Sequence, residues 1–124
     1  MLAHLNRITS GSDYQGVVRR GVRIVGAHTV LYIRKNPVQP DAGAGPVRFG
    51  FIVAKNVGDA VRRNLVRRRL KAVTFELLSA VTPGTDVVIR ALPTARDAAW
   101  QTLHDEVQHS LARPLPVRKG SSNR

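Results

Sequence analysis

Between Arg62 and Lys71, six of ten residues are basic (Arg62, Arg63, Arg67, Arg68, Arg69, Lys71) and none is acidic. Apolar residues are threaded through and beyond this run: Val61, Leu65, Val66, Leu70, Val73 and Leu77. Their spacing follows a period of about 3.6 residues, which predicts a helix with one apolar arc and one cationic arc. At about 100° per residue, Arg63, Arg67 and Lys71 form one stripe spanning roughly 12 Å, with Asn64 and Arg68 beside it. Like charges four residues apart destabilise an isolated helix, so the stripe points to an anion bound along it. The competing reading is a solvated face that keeps the protein soluble. Arg62 and Arg69 project into the apolar arc, so they must lie at an end, snorkel, or mark a bend.

Such a helix needs a scaffold, and 124 residues suit a single domain with one core. Twenty Lys plus Arg stand against eight Asp plus Glu, a net charge of +12. That balance implies a polyanionic partner, and the predominance of arginine suits bidentate phosphate contacts and stacking on bases. A hydrophobic content of 43% is too high for a disordered basic tail. The lack of cysteine excludes disulfides, thiol catalysis and cysteine-ligated zinc or iron–sulfur sites. Met1 to Asn6 is too short and polar for a signal peptide, and no apolar run approaches the ~20 residues of a membrane span. A cytoplasmic location is expected.

Ser12 and Asp13 offer caps for a short helix to Arg20, ended by Gly21. Val22–Ile33 predicts two strands about Gly26, with His28, Val30 and Tyr32 on one face and Thr29, Leu31 and Ile33 on the other. Asn36–Pro46 is a loop by its prolines and glycines, and Arg48–Ala54 a third strand. The basic helix, with Asp59 in its first turn, continues to about Val81, where Thr82, Pro83 and Gly84 stop it. Val87–Ile89 form a fourth strand, and a last helix begins at Thr94 or Asp97 and ends near Arg113. The expected fold is a single two-layer α/β sandwich of class α+β, order α-β-β-β-α-β-α, over residues 1–113. Residues 114–124 are expected to be a flexible basic tail.

No nucleophile–base pair or nucleotide-type glycine loop emerges from the residues. His104 and His109 are five apart, which is not a same-face metal spacing on a helix, and adjacent Asp105 and Glu106 point to different sides, so solvated surface is their default. Gly50 and Gly58 frame a strand–turn–helix in which a glycine lets backbone and Lys55 approach a phosphate.

The stretch Arg48-Phe49-Gly50-Phe51-Ile52-Val53-Ala54-Lys55-Asn56-Val57-Gly58, then Ala60-Val61 and Arg63-Asn64, resembles the bacterial ribonuclease P protein component family. The likeness extends to Leu5-Asn6-Arg7, Asp13-Tyr14, Val30-Leu31-Tyr32 and Val87-Val88-Ile89. The third position of the family's Arg-Asn-Arg motif is Leu65 here, and Arg69 stands one turn later. Arg69 is expected to reach much the same surface while Leu65 fills the core.

The resemblance implies a four-stranded sheet similar to the second domain of ribosomal protein S5, with a left-handed crossover. It implies a catalytic RNA partner holding Mg2+, and removal of the 5′ leader from precursor tRNA by that RNA, with no catalytic residue or metal ligand in the protein. It assigns Lys55, Arg63, Asn64, Arg67, Arg68, Arg69 and Lys71 to RNA contact, and Tyr14, Val18, Val30 and Tyr32 to a leader-binding cleft. Neither a membrane nor an obligate protein partner is implied. The alternatives are a ribosomal protein or RNA chaperone with a similar fold and no cleavage partner, and a membrane-surface protein using 58–81 as an amphipathic helix. Few bulky aromatics on that helix weigh against the latter.

Overall fold

A computed structural model of the chain describes residues 2–36, 43 and 45–113. The expected tail and most of the loop after Asn36 lie outside the described residues. The element order is α1 (Gly11–Arg20), β1 (Val22–Val25), β2 (Thr29–Lys35), β3 (Arg48–Ile52), α2 (Ala60–Leu77), β4 (Thr85–Ala91) and α3 (Trp100–Ala112).

Helix starts and stops follow local chemistry. Ser10, not Ser12 or Asp13, caps α1, its Oγ accepting from the Asp13 backbone N–H. Asp59 caps α2 by accepting from the Arg62 N–H at 2.9 Å. The last helix begins later than expected. Pro93–Asp97 forms a 3-10 turn and α3 starts only at Trp100, with Ala99 at its cap and no side-chain cap bond. Proline lacks an amide N–H and Thr94 is engaged elsewhere, its hydroxyl bonded to the Ala27 carbonyl at 2.8 Å.

The four strands lie in the order β1-β2-β4-β3. β1 pairs with β2 and β2 with β4 in antiparallel fashion, whereas β3 runs parallel to β4, so α2 is the crossover between them. Alternation puts Leu31, Ile33, Phe49, Val87 and Ile89 into the larger core, with Val66, Leu70, Val73 and Leu77 of α2 and Leu103 and Val107 of α3. The other face carries a smaller cluster, Val30, Tyr32 and Val88, closed by Ile8 and by Val17 of α1. The expected α+β sandwich with a four-stranded sheet is present, with α2 and α3 on one face and α1 on the other.

Polar ties hold these layers in place. Asp86 is 2% exposed and accepts from Arg48 Nε at 2.9 Å, Arg48 Nη2 at 2.7 Å and Asn36 Nδ2 at 2.9 Å. Arg48 Nη1 reaches Asp13 of α1 at 3.2 Å. The hydrogen bonds it donates to Asp86, opposed by burial, hold the Arg48 guanidinium protonated well above the usual arginine range. Glu106 departs from its expected role as solvated surface. It is half-buried and accepts from the N–H groups of Ala27 and His28 and from the Thr29 hydroxyl at 2.6 Å, so α3 caps the β1–β2 turn. Gly26 makes room for it, since a Cβ there would lie 2.7 Å from Glu106 Oε2.

The N-terminal segment runs beside β3. Ile8 N–H donates to the Phe49 carbonyl at 2.9 Å, Arg7 pairs with Phe49 in parallel, and Asn6 Nδ2 donates to the Val47 carbonyl at 2.8 Å.

Candidate nucleic-acid interface

The buried seam of α2 is Val66, Leu70, Val73, Thr74 and Leu77, a run at i, i+4, i+7, i+8 and i+11. It is rotated from the expected apolar arc. Val61 is 78% exposed in the first turn and Leu65 is only half-buried, so Leu65 does not fill the core. Arg63, Arg67 and Lys71 consequently lie on the flank of the seam, half-buried, while Asn64 and Arg68 are outermost and exposed.

That flank faces the covered edge of β3. Arg67 and Lys71 line a cleft of about 160 Å3 with Arg7, Thr9, Tyr14 and Phe51. Three cations thus converge on an aromatic wall, with no carboxylate among the described lining residues. Arg67 Nη1 bonds to Asn64 Oδ1 at 2.9 Å, which orients the guanidinium along the helix. Arg63 Nε is buried without a hydrogen-bond partner among the described residues. Lys55, in the Lys55–Val57 turn just before α2, is exposed.

The two arginines that did not fit the stripe are resolved. Arg62 sits at the helix start, half its side chain in solvent, 3.8 Å from Asp97. Arg69 snorkels to the other flank, where Nη1 donates to the Ala98 carbonyl at 2.9 Å. Positions 65 and 69 share that flank, about 160° from Arg67 around the helix by the ~100° step.

Tyr14, Val18, Val30 and Tyr32 are brought together in the smaller cluster between α1 and the sheet. Val30 and Tyr32 are buried there, leaving Tyr14 and Val18 half-exposed at its margin. The phenol end of Tyr14 packs against Gly50, where a Cβ would come within 2.5 Å of the ring, and its hydroxyl accepts from the Phe51 N–H at 3.0 Å. Gly50 is therefore required by the close approach of an aromatic ring. Arg90, which sequence reasoning passed over, places its guanidinium 6.0 Å from the Tyr32 ring on the same face. Arg7 and Phe51 were also unassigned. Both stand in stretches that carry the resemblance, but only the pairing of the N-terminal segment with β3 brings them to the cleft.

Among the described residues, no group of three or more His, Asp or Glu side chains is placed to hold a metal ion, and no helix is long and apolar enough to cross a membrane. Fold and cleft together define a basic α/β protein whose cationic helix flank and aromatic wall suit single-stranded or backbone RNA contacts. The family model described as Ribonuclease P matches residues 2–114. A ribonuclease P protein component of Clavibacter michiganensis subsp. michiganensis is 51% identical over 115 residues, covering 93% of this chain and 97% of that one. One from Mycobacterium avium is 39% identical over 120 residues, covering 97% and 99%. The solved ribonuclease P protein of Thermotoga maritima superimposes with a TM-score of 0.74 at 19% identity, over 89% of this chain and 98% of that one, and shares the fold. The chain belongs to the ribonuclease P protein family. Its role is in tRNA 5′ processing, within a holoenzyme whose catalysis is carried by RNA, and a ribosomal or chaperone role is not favoured.

Proposed function

We propose that the cleft between α1, the β3 edge and α2 is where this chain meets both the catalytic RNA and the 5′ leader of precursor tRNA. The observation that carries this reading is the convergence of Arg7, Arg67 and Lys71 on Tyr14 and Phe51. Backbone phosphates bind the cations and unpaired bases stack on the aromatic wall. Arg63, Asn64 and Arg68 extend the phosphate track along α2, and Lys55 continues it before the helix. Arg69 contributes by fixing α2 against the start of α3. Val18, Val30 and Tyr32 pack with Tyr14 in the smaller cluster and back its ring where it enters the cleft.

Magnesium in this reading is held mainly by the RNA subunit, and no step is routed through a protein ligand. The protein neutralises phosphate repulsion between leader and catalytic RNA, which lowers the Mg2+ concentration the RNA needs. The work is done in the cytoplasm, the compartment where precursor tRNA is made. The described domain and residues 114–124 form one basic protein, the latter adding Arg118, Lys119 and Arg124 as a tail.

The test is cleavage of 5′-labelled precursor tRNA by a bacterial ribonuclease P RNA at low magnesium, with the wild-type chain and with Arg67→Ala/Lys71→Ala. The wild type is expected to restore cutting at the mature 5′ end and the double variant to lose most of that stimulation. Equal stimulation by both would refute the assignment of the cleft.

A further inference from the structure

The layer between the sheet and its two helices stays open where α3 finishes and the Leu78–Ala80 turn follows α2. A cavity of about 550 Å3 lies there, floored by Val22, Ile33, Val81 and Leu111. Arg20, Lys35 and Arg113 line its mouth, with no carboxylate among the described lining residues; Arg34 borders it too, but its guanidinium lies against Gly16 of α1, on the other face of the sheet. Thr85 lines it as well. It is 2% exposed, and its Oγ1 has no hydrogen-bond partner among the described residues.

An unpartnered buried hydroxyl is destabilising, and so are three cations lining one mouth with no carboxylate among the described lining residues. A ligand with an anionic group and a planar apolar body relieves both. The volume falls within the range of roughly 300–1,000 Å3 typical of small-ligand sites.

We propose that this cavity is a nucleotide-binding site, taking one unpaired base on its apolar floor with the phosphate among Arg20, Lys35 and Arg113 and a base edge at Thr85 Oγ1. It is separate from the interface above. From Arg63 to the Leu78–Ala80 turn the chain advances roughly 25 Å at the helical rise. The same chemistry is offered by an extruded base of a bound RNA and by a free nucleotide. The RNA source rests on the RNA-subunit reading; the site itself does not.

The test uses the full chain with two probes. Methyl NMR of Val22, Ile33 and Leu111 is followed on adding AMP or a single-stranded RNA hexamer, and affinity for a bacterial ribonuclease P RNA is measured separately. Lys35→Glu/Arg113→Glu is compared with the charge-matched Arg19→Glu/Arg23→Glu, whose side chains are exposed outside the cavity. The floor methyls are expected to shift in the wild type and not in the Lys35/Arg113 variant. That variant is expected to lose affinity for the ribonuclease P RNA on the order of tenfold beyond the charge-matched one, as loss of two phosphate contacts implies. Thr85→Val is expected to weaken the AMP shifts several-fold without lowering the melting midpoint.

Floor shifts with AMP but equal RNA affinities in the two charge variants would support the site and assign its source to free nucleotide. Floor methyls unmoved by either probe would overturn the proposal, even if RNA affinity fell selectively, because that shows a surface phosphate contact and no base in the cavity. Failure of the wild type to bind ribonuclease P RNA would count against the RNA-subunit reading alone, and the AMP arm would still decide the cavity.

Discussion

Removing the Arg48 guanidinium tests how α1 is held over the sheet. Asp86 is 2% exposed and takes two of its three side-chain hydrogen bonds from Arg48, so Arg48→Ala leaves a buried carboxylate with Asn36 alone. Stripping one partner from a fully buried pair costs about 3–5 kcal/mol. Because the Arg48 side chain is 28% exposed, water recovers part of that, and the expected loss is about 2–4 kcal/mol. The more exposed tie to Asp13 adds only a few tenths, on the order of 0.5 kcal/mol. Urea unfolding measures the loss, and the cycle with Asp86→Ala isolates the pair. Arg48→Ala/Asp86→Ala is expected to be less damaging than Arg48→Ala alone, since no buried charge then lacks its partner. A loss below about 1 kcal/mol for Arg48→Ala, or a double variant worse than the single by the full Asp86→Ala cost, would refute the reasoning.

Other perturbations separate scaffold from interface. Glu106→Ala orphans two backbone N–H groups at the β1–β2 turn and is expected to cost about 1–3 kcal/mol in urea unfolding, with RNA affinity unchanged once the protein is folded. Gly50→Ala drives a Cβ into the Tyr14 ring and is expected to cost about 1–3 kcal/mol, largely recovered in Gly50→Ala/Tyr14→Ala; no recovery would mean that the ring is not the obstacle. Arg68→Ala, at an exposed position, is expected to leave stability within about 0.5 kcal/mol and to reduce the slope of log K against log salt by roughly 0.7 to 0.9. Hydrogen bonds from Gln101 and then His104 hold the Asp105 carboxyl below its usual range, so this contribution is present above the unfolded value and fades as pH falls through the folded one. A carboxyl-detected titration should show the lowered midpoint, and Gln101→Ala should move it back.

Much of the scaffold was readable because its signals are local. Alternation through Val30, Leu31, Tyr32 and Ile33 assigned the faces of β2 correctly, and the periodic run after Asp59 announced α2, although the helix expected to about Val81 ends at Leu77 and tightens into a 3-10 turn over Leu78–Ala80. The rotation of that helix was less legible. Val61 matches the apolar period, but it precedes the region where α2 lies on the sheet, and no local rule says where packing begins. Glu106 could not be recognised as a cap because its donors, Ala27, His28 and Thr29, are nearly eighty residues away in sequence. Of the interface, the cationic residues of α2 were evident from their density. Arg7 and Phe51 were not, because their place in the cleft depends on a parallel pairing between the N-terminal segment and β3. The Leu65/Arg69 departure looked like an exchange on one face; Arg69 instead bonds Ala98 on the flank facing α3.

That same N-terminal segment bears on how the protein can be handled. β3 is one of the two outer strands of the sheet, and an uncovered outer strand offers a row of free amides and carbonyls to any other chain. Residues 6–8 occupy part of that row through the Val47 and Phe49 carbonyls. A chain shortened past Ile8, or carrying a bulky amino-terminal fusion that pulls the segment away, would present β3 bare. Its first failing would be self-association in the tube, well before any defect in handling RNA was noticed.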